Sequence, residues 1–107
     1  MDLVVEIYEL TKRFPNEERF GLTSQMRRSA VSIPSNISEG YRRTTDADFL
    51  QFLSISFGSA SELETQCLIA FRLNYFTSDQ YHRVDALIKS VLRLLNGFIK
   101  SRKNKQN

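Results

Sequence analysis

The side chains with the most chemical reach in this 107-residue chain are its bases. Lys89, Arg93, Lys100, Arg102, Lys103 and Lys105 crowd the C-terminal quarter, and Arg42-Arg43 follow Tyr41 in a short hydrophilic stretch. Guanidinium forks and ammonium groups at this density suit phosphate, and a neighbouring tyrosine adds a surface on which a base can stack. These eight bases are the expected nucleic-acid contacts. The same residues have a structural use, because cations near a helix C-terminus complement its dipole.

Other polar residues read as structural. Glu64 falls inside an apolar arc of its segment, where a lone carboxylate is costly. It is expected to pair with Arg27 or Arg28 or to face a subunit interface, with Asn36 and Glu39 in supporting roles. No catalytic or metal site is expected. His82 has no Ser or Cys partner in a triad-like arrangement, and Cys67 with His82 falls far short of a zinc ligand set. Asp46, Asp48, Glu62 and Glu64 lack the Glu-x-x-His pairs of di-iron bundles. Gly40 to Thr45 lacks the glycine-lysine core of a P-loop. These absences predict a protein that is not an enzyme and needs no cofactor.

Four periodic segments must position the bases. Asp2 to about Arg13 carries Leu3, Ile7 and Leu10 at helical spacing and ends before Phe14-Pro15. The second runs from Leu22-Thr23-Ser24, where either hydroxyl can cap, towards Gly40. Its apolar arc of Met26, Ala30, Ile33 and Ile37 also holds Pro34. A proline there deprives the Ala30 carbonyl of its donor, so a kinked helix and two shorter helices are both open readings. Ser29, Ser32 and Ser35 offer hydroxyls for the freed carbonyls.

The third segment is capped at Thr45, with Asp48 three residues on, and should reach Asn74 or Tyr75. Phe49, Leu53, Phe57, Ala60, Leu63 and Cys67 mark its main core face. Ile55, Ile69 and Leu73 form a second stripe that calls for another neighbour. The fourth opens at Ser78 as cap and continues to about Ser101 or Arg102, with Lys89, Arg93 and Lys100 opposite its apolar arc. An all-α, antiparallel up-down four-helix bundle over residues 1–102 is the expected fold, followed by a basic tail at 103–107.

Composition agrees with one small domain. The chain is 41% hydrophobic and 25% charged, near the globular average, which excludes disordered and low-complexity classes. One cysteine, no basic leader and no long apolar run predict a reducing cytoplasm and no membrane contact. The net charge of +3 conceals polarity: residues 81–107 hold seven bases and one acid, and residues 44–80 one base and five acids.

Tyr8-Glu9-Leu10-Thr11 with Phe14-Pro15, the block Gly21-Leu22-Thr23-Ser24-Gln25-Met26-Arg27-Arg28-Ser29-Ala30 through Ser32-Ile33-Pro34-Ser35-Asn36-Ile37-Ser38-Glu39-Gly40, and Gly58-Ser59 to Glu62-Leu63-Glu64 resemble the four-helix-bundle family of 23S rRNA intervening-sequence proteins. That family is similar in turn to the accessory variability determinant of diversity-generating retroelements. The resemblance spans about Ile7 to Phe76 and departs at Ser38 and Ser56, where the family has Ala, and in a shorter lead-in to the first helix. It implies an up-down bundle that tolerates Pro34 inside a long second helix. It also implies a homo-oligomer, a five-fold ring, and a non-enzymatic function in which basic surfaces meet RNA or DNA and a reverse transcriptase. The alternative is a protein-interaction scaffold that binds no nucleic acid.

Overall fold

The computed structural model describes residues 2–106, with the side chains of Lys105 and Gln106 outside that description. The described residues form four α-helices and no strands: α1 (Asp2–Thr11), α2 (Leu22–Tyr41), α3 (Asp46–Arg72) and α4 (Ser78–Gln106), with a 3-10 turn at Asn16–Glu18. At 1.5 Å per residue, α3 and α4 are each about 40 Å long, which accounts for the 47 Å long axis of the molecule.

Local chemistry fixes the helix ends. Thr45 caps α3 as expected, its Oγ1 accepting the Asp48 amide at 3.2 Å. The cap of α4 is Thr77 rather than Ser78: the Gln80 amide donates to Thr77 Oγ1 at 3.1 Å and the Thr77 amide to Gln80 Oε1 at 2.9 Å, a reciprocal capping box. Neither Thr23 nor Ser24 caps α2. Gly21 holds the cap position, and Glu18 Oε1 reaches forward to accept the Leu22 amide at 3.3 Å. The second oxygen of Glu18 accepts from the Tyr75 hydroxyl at 2.8 Å, tying the α1–α2 connection to the α3–α4 connection. α3 stops earlier than expected because Asn74 enters the left-handed region at φ 64°. The Tyr75 amide then bonds the Ala70 carbonyl and the Asn74 amide that of Phe71, which together form a Schellman closure.

Pro34 lies inside an unbroken α2. The side chains that support its neighbourhood are not those expected. Ser56 of α3 donates to the Ile33 carbonyl at 2.8 Å, and Asn36 Nδ2 to the Ser32 carbonyl at 2.8 Å, while Ser32 Oγ meets Ser59 Oγ at 2.8 Å. Ser56 is fully buried, and its hydroxyl reaches across to the carbonyl of the residue before Pro34; the carbonyl that the proline deprives of its donor is that of Ala30, one turn earlier.

The α2–α3 contact is the largest helix pair, followed by α3–α4, with α1 laid across α2 and α4. Along the first pair Gly40 meets Phe49 and Phe52, Ile33 meets Ser56, and Ser32 meets Ser59, so residue numbers rise on one helix as they fall on the other. Ile7, Met26, Ile33, Leu63, Val84 and Ile88 are completely buried between the four helices. Each such aliphatic side chain contributes about 1.5–3 kcal/mol through burial. The stripe of Ile55, Ile69 and Leu73 is left 45–49% exposed by the described residues.

Candidate nucleic-acid interface

The end of α2, the start of α3 and the last turns of α4 meet at one end of the molecule, and they bring several of the expected bases together there. Arg102 donates from Nη1 to Asp46 Oδ1 at 3.0 Å, with its guanidinium 4.6 Å from the Phe49 ring centre. Arg43 donates from Nη2 to Glu39 Oε1 at 2.8 Å and lies 4.7 Å from the Phe52 ring. Tyr41 packs on Phe49 at 5.1 Å, so aromatic rings floor both arginines. Among the described residues Arg42, Lys100 and Lys103 make no ion pair. α4 continues past the expected end at Arg102, so Lys103 projects from a helix; the side chain of Lys105 lies outside the described residues.

The outer face of α4 is less available than its sequence suggests. Lys89 Nζ lies 2.7 Å from Asp85 Oδ2, and this hydrogen bond, more than the surrounding charges, raises the lysine pKa. Glu64 sits across the α3–α4 cleft from the same lysine, in a shallow pocket shared with Leu68 and Tyr81. Lys89 is therefore paired with Asp85, while its side chain stays 57% exposed. Arg93 donates from Nη2 to Ser90 Oγ at 3.3 Å and makes no ion pair among the described residues.

Glu64 does not pair with Arg27 or Arg28 within the chain, because α3 turns it towards α4 and away from α2. Arg27 instead clamps α1: its Nε donates to Thr11 Oγ1 at 2.9 Å, and its guanidinium covers the Tyr8 ring at 4.7 Å. Arg28, one position on, is exposed and makes no ion pair among the described residues. Beside it runs an open groove of about 690 Å³ between α1 and α2, reached by Arg19, Arg27 and Arg28 and walled by Tyr8, Phe20 and Val31. The sequence reading did not anticipate this groove. Arg19 and Phe20 lie in a connection with no periodicity, and the one available signal was a large aromatic between two breakers, Pro15 and Gly21.

The remaining reactive groups are separated. Cys67 is buried, and burial, with Asp85 and Glu64 nearby, pushes its thiol up to about 12. His82 is exposed, its Nδ1 2.7 Å from the Ser78 carbonyl oxygen. Among the described residues no three of His, Cys, Asp and Glu gather where they could hold a metal ion. No described helix is long and apolar enough to cross a membrane.

This arrangement of helices is shared with a solved structure, a protein of unknown function from the S23 ribosomal protein family of Bacteroides thetaiotaomicron VPI-5482. The two chains are 32% identical with a TM-score of 0.85, over 92% of this chain and 89% of that one. No curated protein matches. The family pattern of the 23S rRNA-intervening sequence protein matches residues 1–97, which takes in all of α1, α2 and α3 and most of α4. With nine-tenths of the sequence and three of the four helices in full accounted for in this way, the chain belongs to the 23S rRNA-intervening sequence protein family.

Proposed function

We propose that this chain is a non-enzymatic, cytoplasmic protein, an antiparallel up-down bundle that assembles with copies of itself and binds RNA or DNA through its basic surface. The observation that carries this reading is the basic end, where α2, α3 and α4 converge. Among the described residues Arg42, Lys100 and Lys103 stand there without carboxylate partners, beside Arg43 and Arg102 seated on aromatic rings. Such surfaces bind nucleic acid by releasing counterions from phosphates, a term that does not depend on sequence. Self-assembly is supported by the Ile55, Ile69 and Leu73 stripe, which would bury about half of each side chain's surface against another copy. A five-fold ring, and a role as accessory to an rRNA intervening sequence or a reverse-transcriptase complex, belong to the same proposal.

The test is fluorescence anisotropy of labelled RNA and DNA across a salt series. Binding should weaken linearly on a log–log plot, and charge removal at Arg42 or Lys103 should reduce the slope by about one unit each. Binding insensitive to salt, or none at low salt, would refute the reading. Light scattering on the same samples reads the assembly, which Ile69→Glu should dissolve.

A further inference from the structure

We propose that the groove between α1 and α2 seats a segment of single-stranded nucleic acid, with a phosphate on Arg19 and Arg28 and a base on Phe20. The inference rests on the nucleic-acid reading above and assigns it a second site, on a different face from the basic end.

Charge is the first argument. Three guanidiniums reach the groove, and no carboxylate lines it. Arg27 is committed to Thr11 and Tyr8, which fixes the wall. Arg19 and Arg28 make no ion pair among the described residues, so their forks are free to take an anion in bidentate fashion. Neighbouring arginines without a counter-charge repel one another, and an anion between them relieves that repulsion.

The apolar part decides which anion. Phe20 is 88% exposed, the most exposed large hydrophobic side chain described, and the Arg19 guanidinium lies 5.3 Å from its ring centre. A free phosphate would satisfy the arginines and leave Phe20 in water. A duplex would present phosphates but keep its base faces stacked inward. An unpaired nucleotide supplies both halves, a phosphate for the forks and a flat face for the ring.

The floor adds a polar edge. Asn36 is held by Nδ2 on Ser32, which aims its amide and leaves Oδ1 without a donor among the described residues. An acceptor so held suits the amino or imino edge of a base. At about 690 Å³ the groove falls within the size range of small-ligand clefts, roughly 300–1,000 Å³.

The experiment uses the full-length chain and a fluorescein-labelled twelve-residue oligouridylate, with a duplex of equal length and an oligoglutamate peptide as comparison probes. Phe20→Ala, whose side chain is solvent-exposed, should keep the wild-type circular dichroism and thermal midpoint. It should weaken the single strand roughly tenfold through lost stacking while leaving duplex affinity and the salt slope unchanged. Arg28→Ala should lower the single-strand slope by about one unit. If the oligouridylate binds with a normal salt slope but neither substitution alters it, the groove assignment is wrong and the basic-end reading stands. If the unaltered protein binds no oligonucleotide at low salt, both fall. Oligoglutamate binding as tightly as the oligouridylate would make the groove a peptide site and overturn the proposal. So would Phe20→Ala dissociating an assembly, seen by light scattering, without changing oligonucleotide affinity.

Discussion

The two basic regions of this molecule differ in what surrounds their charge. At the end where α2, α3 and α4 meet, the bases are many, but Arg43 and Arg102 each hold a carboxylate, Glu39 and Asp46, at 2.8 and 3.0 Å. The α1–α2 groove has only three arginines and no acid in its lining. Counting bases along the chain ranks the first region far above the second. The difference teaches that availability, set by neighbouring carboxylates, decides what a phosphate meets. Exposed pairs such as these hold their partners by only about 0–1 kcal/mol, so the end is a screened surface that a polyanion can still open.

Both regions stand on one core, and the largest expected effect is on that core. Leu63→Ala, at a fully buried position, should cost about 2–5 kcal/mol. If one core serves both regions, salt-dependent binding at the end and stacking in the groove should disappear at the same lowered temperature in a thermal series. Separate losses would show that the regions belong to different cooperative units.

Alkaline titration probes the same core. Burial pushes the Cys67 thiol up from an ordinary value of 9.0 to about 12, so between these values the folded chain keeps a proton that the unfolded chain gives up. Stability is therefore unaffected below about pH 9 and falls as pH rises above it, by up to about 1.4 kcal/mol per unit. Urea unfolding at pH 8 and pH 10.5 should show a steeper loss for the unaltered chain than for Cys67→Ala. Equal losses would contradict the buried thiol.

Gly40→Ala should separate the regions. An added Cβ would stand 3.0 Å from Phe49 Cδ1 and 3.1 Å from Phe52 Cβ, the two rings beneath Arg102 and Arg43. Crowding outweighs the better helix propensity of alanine, for a net cost of about 1 kcal/mol. Duplex affinity at the end should fall while oligouridylate stacking on Phe20 is kept. The smallest effect is expected from Asp46→Asn, which frees Arg102 and should raise the salt slope for duplex by up to about one unit. A slope that stays flat would mean that the carboxylate was not restraining the arginine.

Much of the framework was legible because it is local. The spacing of Leu3, Ile7 and Leu10 marks α1, and the Thr45–Asp48 cap marks the start of α3. The second stripe on α3 was legible as spare apolar surface, and it is exposed. Misreadings arose where two signals of equal chemistry sat side by side. Thr77 and Ser78 both cap well in principle, and the glutamine three residues after Thr77 decides between them. Asn74 closed α3 with a left-handed turn that periodicity does not report.

By itself the sequence determined the helical kind of the elements, the apolar faces that must be buried and the segregation of positive charge into the last quarter of the chain, because periodicity and capping act within a few residues. Only the tertiary structure decided which charges are free. Glu64 faces α4 instead of Arg27, Ser56 reaches the Ile33 carbonyl from another helix, and Arg19 and Arg28 share a groove with Phe20. Each of these outcomes depends on the rotation of one helix against its neighbour. That rotation is set by the packing of the whole core, and no window of local sequence contains it.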